Sequence, residues 1–285
     1  MILIVDSGAT KSDWIALDNQ GEQLFMTQTL GLSPEVLTRE IIMERLANNY
    51  ELSNNRKKVK QLFFYGAGCG TLRMQNYLKE IFTEYFLNAK ISVKEDTYAA
   101  VYATVEPNEH AIVCILGTGS NCSYFDGIEL FQKVSSLGYI LMDDCSGNYF
   151  GRQLLRDYYY HKIPPKLAAK FEQDHDLDAD VIKNNLYKRP NPNTYLATFA
   201  KFVLQNKNND YCKKLIRKGM KLFIDNSIMQ FEQATEGIPV HFVGSIAYYL
   251  QDELEEILTE HNIKKGKVLR RPIDGLVTYH KSIFV

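Results

Sequence analysis

Three stretches of this chain combine small, hydroxyl and charged residues in ways that could hold a polyphosphate. The first is Asp6-Ser7-Gly8-Ala9-Thr10-Lys11. Gly8 allows a tight turn that brings backbone N–H groups close to an anion. Thr10 and Lys11 can donate to phosphate oxygens, and Asp6 can hold Mg2+, usually through water. The second is Leu116-Gly117-Thr118-Gly119-Ser120-Asn121, where glycines flank a hydroxyl residue after a buried strand. Its backbone donors, together with Thr118 and Ser120, form another cradle. The third is VHFVGSIAYYL, in which Gly244 and Ser245 close a β run and open a helix. Such a junction suits the sugar, base or phosphate edge of a nucleotide. Taken alone, the first also reads as a common hairpin turn and the third as plain β–α turn chemistry. The second is not a Walker A loop, since it lacks Gly-Lys-Ser/Thr and no helix follows. Nor is it a dinucleotide fingerprint, because a strand continues after it.

These stretches need rigid elements to hold them. Residues 2–5, 14–17 and 23–29 read as a three-stranded meander turned at DSGATKSD and DNQGE. Helical spacing of Val36, Leu37, Ile41, Ile42 and Leu46 predicts a helix over 34–50. A short β run at 61–65 ends in glycines, 74–86 is helical, 91–93 is a strand and 97–104 a helix. A second β series, HAIVCILGTGSNCSYFDGIELFQKV, repeats the glycine-tipped meander about a hundred residues later. Residues 149–231 are mostly helical, one further strand leads into Gly244, and the tail begins as a strand and ends as a short helix. The EPNE break predicts a boundary near residue 105, giving domains 1–105 and 106–285. Two such halves imply a duplicated α/β architecture with a cleft between them.

Composition narrows the function classes. The 285 residues are 45% hydrophobic and 24% charged with a net charge of -1, as in a globular protein of normal core size. Near-neutral charge argues against nucleic acid or a membrane surface as the main partner. The basic run NNRKKVK reads as a solvated loop. No signal peptide is visible and no apolar run approaches the ~20 residues of a membrane span. Five cysteines, Cys69, Cys114, Cys122, Cys145 and Cys212, form no CxxC pair, which fits free thiols in a reducing cytoplasm. The six histidines show no metal-ligand spacing.

Together and in this order, DSGATKSDW, LGTGSNCSY and FVGSIA resemble the two phosphate motifs and the adenosine motif of the sugar-kinase/heat-shock-70/actin ATPase superfamily. EDTYAAVYA, LGYILMDDCSGNYFGRQLL and PIDGLVTYH extend the resemblance over nearly the whole chain. The middle one is similar to WGxxxGDEGSGxxxGR of the N-acetylglucosamine kinase group, within the BadF/BadG/BcrA/BcrD-type ATPase family. The resemblance implies duplicated ribonuclease-H-like domains of the actin-like ATPase kind with a central nucleotide and substrate cleft. It implies a helical insertion in the second domain and a C-terminal tail that packs back on the first. It also implies ATP and Mg2+ as cofactors, a small sugar as substrate, and a homodimer.

Residue by residue, the resemblance makes Asp96 the catalytic base, which takes the proton of the attacking sugar hydroxyl. The bland role for Asp96 is to cap the helix that follows. Gly8, Thr10, Lys11, Gly117, Thr118, Gly119, Ser120, Gly244 and Ser245 would hold the nucleotide, and Asp6 the metal. Gly66, Ala67 and Gly68 of FFYGAGC would let backbone come close to a hexose, with Gly138 and Asp143 also on the sugar. Pro34 stands near the point where kinases of this type carry an asparagine. Ser135, Ser136 and Leu137 replace Gly-Gly-Trp, which removes a flat apolar wall suited to a sugar face. Met142, Asp143, Asp144 and Cys145 stand where Gly-Asp-Glu-Gly is expected, and Leu137 and Met142 read otherwise as core fillers. Tyr158–Tyr160 reads as surface or dimer packing, and Cys122 and Cys145 as small buried fillers.

The leading expectation is phosphotransfer from ATP to the 6-hydroxyl of an amino sugar, N-acetylglucosamine first. One alternative is an ATPase activator of an acyl-CoA reductase, which would need a cysteine-held iron–sulfur cluster. Another is a non-catalytic sugar or nucleotide sensor, prompted by the altered LMDDCSG segment.

Overall fold

The computed structural model describes residues 1–8 and 10–284; Ala9, inside the first candidate phosphate stretch, lies outside the described residues, as does Val285. The chain divides into two compact units, one of residues 1–105 with 271–285 and one of residues 106–270.

In the first unit β1 (Ile2–Ser7), β2 (Lys11–Leu17) and β3 (Gln23–Leu30) form an antiparallel meander. Then come α1 (Arg39–Ala47), α2 (Tyr50–Asn55), β4 (Gln61–Gly66), α3 (Leu72–Tyr85), β5 (Lys90–Glu95) and α4 (Asp96–Thr104). Parallel pairing of β1 with β4 and of β4 with β5 gives the order β3-β2-β1-β4-β5. The almost continuous apolar run of β1 is what a central strand covered on both faces requires. Strand alternation sends Leu3 and Val5 to one face, where they meet Trp14, Phe64 and Phe82. Ile2 and Ile4 point the other way, toward Ala99 of α4 and toward Ile273 and Leu276 of the C-terminal tail.

The second unit repeats the plan. β6 (Ala111–Leu116), β7 (Ser120–Phe125) and the two-residue β8 (Leu130–Phe131) form the meander. A run of helices follows: α5 (Gly147–Tyr159), α6 (Pro165–Asp174), α7 (Ala179–Tyr187), α8 (Pro192–Thr198), α9 (Ala200–Gln205) and α10 (Asp210–Asn226). β9 (Val240–Val243), α11 (Ser245–Tyr249), α12 (Gln251–Glu260) and β10 (Lys265–Leu269) complete it, in the order β10-β9-β6-β7-β8. The chain then returns to the first unit as α13 (Pro272–Phe284), which packs on α4. A side chain at Gly275 would collide with Ala103, so glycine is what lets these two helices touch.

The mixed α/β class and the duplication are as the sequence implies; several boundaries differ. The helix expected over 34–50 starts at Arg39, because Ser33 O accepts from the N–H of Val36 (3.4 Å) and of Leu37 (3.2 Å) in a turn that uses up the first residues. It also breaks at Asn48–Asn49, where the Asn49 side chain accepts from Leu52 N (3.1 Å) and starts α2. β1 runs through Asp6 and Ser7 and β2 begins at Lys11, so the hairpin tip is shorter than DSGATKSD implies. Among the described residues no helix is long and apolar enough to cross a membrane.

Candidate active site

In the first unit the register of the parallel strands decides what comes together. Ser7 pairs with Gly66 and Gly66 with Glu95, so β1, β4 and β5 end level with one another. Asp6, the glycine loop 66–68 and Asp96 therefore share the carboxyl edge of one sheet, the position where open α/β sheets bind ligands. Ser7 ties this edge together. Its hydroxyl accepts from Ser12 Oγ (2.7 Å) and from Leu32 N (3.2 Å), and its carbonyl from Ala67 N (2.8 Å). Gly68 has φ +80, and a side chain there would strike Ser33 Oγ, so the two expected sugar-side loops are packed against each other.

The edge is strongly acidic. Asp13 lies directly opposite Asp6 on β2. Burial, then the Asp96 carboxylate, then Asp13, push the Asp6 carboxyl up to about 7. Burial and the neighbouring Glu95 push Asp96 to about 7 as well, against the pull of the Thr97 N–H it accepts from. Asp96 is the first residue of α4 and Glu95 occupies the N-cap, so Asp96 is not the cap itself. Lys11, expected to bind phosphate, pairs with Asp13 (2.9 Å), and Arg271 forks onto Asp274 (3.1 and 3.3 Å). Asp6 and Asp96 are half-buried carboxylates at one sheet edge, oxygen donors of the kind a divalent cation takes. Among the described residues no group of three or more His, Cys, Asp or Glu could hold a metal. Mg2+ needs only one or two carboxylates beside phosphates and water.

The second unit joins the other motifs. The Gly117 carbonyl accepts from Gly147 N (2.8 Å) and that of Thr118 from Asn148 N (3.0 Å), fixing the loop to the first turn of α5. Gly244 donates to Leu269 O (2.9 Å) and takes φ +123, where a side chain would run into the Leu116 carbonyl. The adenosine and second phosphate motifs thus touch through backbone, with Ser245 exposed at the start of α11. A side chain at Gly119 would meet Asp143 Oδ2 at 2.8 Å. At Gly117 it would meet nothing within 4 Å, and at Gly8 only Lys11 O at 3.8 Å. Neither Gly8 nor Gly117 has a positive φ, so protein packing does not demand glycine at either tip. Glycine at a strand-end tip also leaves backbone N–H groups open to close approach. Thr10 sits at the first tip, its carbonyl accepting from Gly31 N (2.9 Å).

Beside the loop lies a pocket of about 260 Å³. Ser120, Asn121, Asp143, Asp144 and Asn226 supply its polar wall; Val134, Leu141, Met142 and Cys122 are among the rest. Asp143 is held at φ +66, accepts from Asn148 Nδ2 (2.9 Å) and Ser120 N–H, and is raised by burial above the usual carboxylate range. Asp144 accepts from Asn226 Nδ2 (2.9 Å). Cys145 stands where glycine is expected and keeps φ +59, the conformation glycine would favour. Gly138, expected on the sugar, is not part of the lining. Its carbonyl accepts from Leu141 and Met142 in the turn that carries those two side chains into it. Leu137 is 63% exposed and Met142 lines the pocket, so neither is a core filler. Sequence reasoning gave no role to Asn226, whose partner is 82 positions away, and placed Asn121 in the second candidate phosphate stretch without a role on the sugar side.

No family model and no curated protein sequence matches the chain, whereas solved structures do. A candidate N-acetylglucosamine kinase from Porphyromonas gingivalis is 32% identical over 100% of both chains, with a TM-score of 0.92. A second, from Chromobacterium violaceum, is 15% identical over 98% of both, with a TM-score of 0.70. A ROK-family glucokinase from Streptomyces griseus, solved with glucose and AMPPNP, is 14% identical over 97% of both, with a TM-score of 0.60; at that identity the likeness is one of fold. The chain therefore belongs to the family of sugar kinases of actin-like ATPase fold that includes the candidate N-acetylglucosamine kinase of Porphyromonas gingivalis.

Proposed function

We propose that this chain transfers the γ-phosphoryl group of ATP to the 6-hydroxyl of an amino sugar, with N-acetylglucosamine as the leading substrate. The observation that carries this reading is the level ending of β1, β4 and β5, which gathers Asp6, the 66–68 loop and Asp96 at one sheet edge. Asp96 accepts the hydroxyl proton as the sugar oxygen bonds to the γ-phosphorus and the bond to the β-phosphate oxygen breaks. A carboxyl with its affinity for protons raised to about 7 is a stronger base than an ordinary aspartate and still ionises near neutral pH. Asp6 would hold Mg2+, which supplies charge neutralisation on the phosphates. Gly8 and Thr10, with Gly117–Ser120, offer backbone and hydroxyl donors to the phosphates, and Gly244–Ser245 supports the nucleoside. The Streptomyces griseus glucokinase of the same fold was solved with glucose and AMPPNP, which supports a sugar and a nucleoside triphosphate as the two ligands.

The pocket in the second unit suits a neutral or cationic amino sugar. Its lining holds two carboxylates and two amides but no lysine or arginine. Such a wall accepts hydrogen bonds from hydroxyl, amide or ammonium groups, while Val134, Leu141 and Met142 can cover an acetyl methyl. A carboxylate-bearing substituent, as on N-acetylmuramic acid, meets like charge at Asp143 and Asp144 without a compensating cation. The wall favours N-acetylglucosamine and glucosamine over N-acetylmuramic acid.

The test is ADP release with ATP and Mg2+ over a panel of these sugars and glucose, on wild type and Asp96→Asn. Turnover with N-acetylglucosamine, and a kcat lower by roughly 10²–10⁴-fold in the variant with unchanged ATP affinity, is expected. ATP binding without turnover on any sugar would instead make the chain a sensor.

A further inference from the structure

We propose that Cys114 and Cys122 form a modification site: a dithiol that a small hydroperoxide, entering through the pocket beside the Gly117–Ser120 loop, closes to a cross-strand disulfide. The register supplies the geometry. Gly117 N donates to Gly119 O (2.9 Å), which marks those two as a hydrogen-bonded pair of the β6–β7 hairpin. Pair types alternate along an antiparallel ladder, so Leu116–Ser120 is non-hydrogen-bonded, Ile115–Asn121 hydrogen-bonded, and Cys114–Cys122 non-hydrogen-bonded again. In that class the facing Cα atoms are only ~4.5 Å apart and the side chains lie closest. Cys114 Sγ–H donates to Cys122 Sγ at 3.5 Å. A disulfide asks for Cβ atoms ~3.5–4.5 Å apart, within reach of this pair without a change of register.

The two thiols are not equivalent. Cys114 is fully enclosed in the second unit's core, whereas Cys122 is 8% exposed and lines the pocket. Reagent therefore meets Cys122 first. The carboxylates of Asp143 and Asp144 on the same wall disfavour anionic oxidants such as glutathione disulfide, and the pocket's size favours a small neutral one. In the first step the Cys122 thiolate attacks a peroxide oxygen. An S–O bond forms, the O–O bond breaks, and the departing oxygen, hydroxide where the oxidant is hydrogen peroxide, takes up the proton that the thiol had released and leaves as water. In the second, the Cys114 sulfur attacks that sulfenic sulfur; S–S forms, S–O breaks, and the hydroxyl leaves as water with the Cys114 proton. Two thiols lose two electrons and one hydroperoxide gains them. Burial, with the neighbouring Cys122, holds the Cys114 thiol well above its usual range, so this second step quickens with rising pH. Closure shortens the sulfur separation by ~1.5 Å beneath the Gly117–Ser120 turn.

The site does not depend on the kinase reading. Cleavage after Lys94 and Lys133 yields a peptide of residues 95–133 that carries these two cysteines and no other. After treatment of the native full chain with hydrogen peroxide, that peptide is expected to be lighter by two hydrogens. Both cysteines should resist alkylation in denaturant until dithiothreitol is added. In Cys114→Ala the same dose should drive Cys122 to sulfinic acid, which dithiothreitol does not reverse. If wild-type Cys122 gains oxygens while Cys114 stays alkylatable, or if both stay reduced while exposed Met26 is oxidised, the dithiol proposal fails. Wild-type mapping alone decides the matter should the alanine variant misfold.

Discussion

The two units share a strand order and differ at the edge where chemistry happens. Gly8 follows β1 as Gly117 follows β6, but the next-to-last residue of β1 is Asp6 and that of β6 is Ile115. β5 runs into Glu95 and Asp96; its counterpart β10 runs into Arg270 and Arg271. The third strand has eight residues in the first unit and two in the second, where the helices α5–α10 take over. One copy of the plan has kept half-buried acids at its edge; the other has glycine backbone, Arg270 after β10, and a pocket built from the inserted helix α10 and the segment before α5. The shared part is set by burial on both faces of a sheet. The divergent part lies at strand ends, where packing constrains the residue least.

That contrast is broken most sharply by exchanging roles at the two equivalent positions. Asp96→Asn removes the acid of the first unit and should cost roughly 10²–10⁴-fold in kcat. Arg270→Ala, at the matching place in the second unit, removes a guanidinium 5.4 Å from the Tyr249 ring centroid. An exposed cation–π contact is worth about 0.5–1 kcal/mol, so steady-state kinetics should change by less than about five-fold. Equal losses at both positions would mean that the two edges are not chemically divided.

The glycines sharpen it next. Gly244→Ala must relieve a left-handed φ and a collision with the Leu116 carbonyl, and should lower stability by several kcal/mol, read by denaturant unfolding. Gly8→Ala and Gly117→Ala meet open space and should leave stability within about 1 kcal/mol. Their expected effect is a KM for ATP at least about ten-fold higher. A Gly117→Ala variant with unchanged ATP kinetics would remove that tip from nucleotide binding.

The same distinction explains what the sequence disclosed. The meanders were legible because alternation and glycine tips are local signals: ILIVDSG and AIVCILG announce buried strands and tight turns. The acid after β5 was legible by resemblance, since EDTYAAVYA places an aspartate after the last strand of the first domain as the kinases it resembles do. What stayed hidden depended on distant partners. Pro34 sits in a turn closed by Ser33 O, so helical spacing across 34–38 misled. Leu137 is apolar yet exposed, because the turn at Gly138 directs Leu141 and Met142, not Leu137, into the pocket. Asn226 ends a helix whose spacing speaks only of core packing, and its bond to Asp144 is set by tertiary structure alone.

A smaller effect follows from the acids of the first unit, and its sign is fixed by the direction of their shifts. Asp6 and Asp96 hold protons up to about 7 in the folded chain, against 3.8 for an ordinary aspartate. Between those values the folded chain keeps protons that the unfolded chain has already released. Unfolding therefore releases protons, and stability falls as pH rises through this window. Asp6→Asn removes one such group. In metal-free buffer the variant should melt higher than wild type, with a gain that grows from about pH 5 to about pH 8 and reaches several degrees at the upper end. Added Mg2+ should shrink the Asp6 difference, because a cation at that carboxylate offsets the cost of ionising it. A Tm difference that does not change with pH would show that Asp6 ionises as freely as a surface aspartate, and the burial and neighbouring acids would then have no hold on its proton.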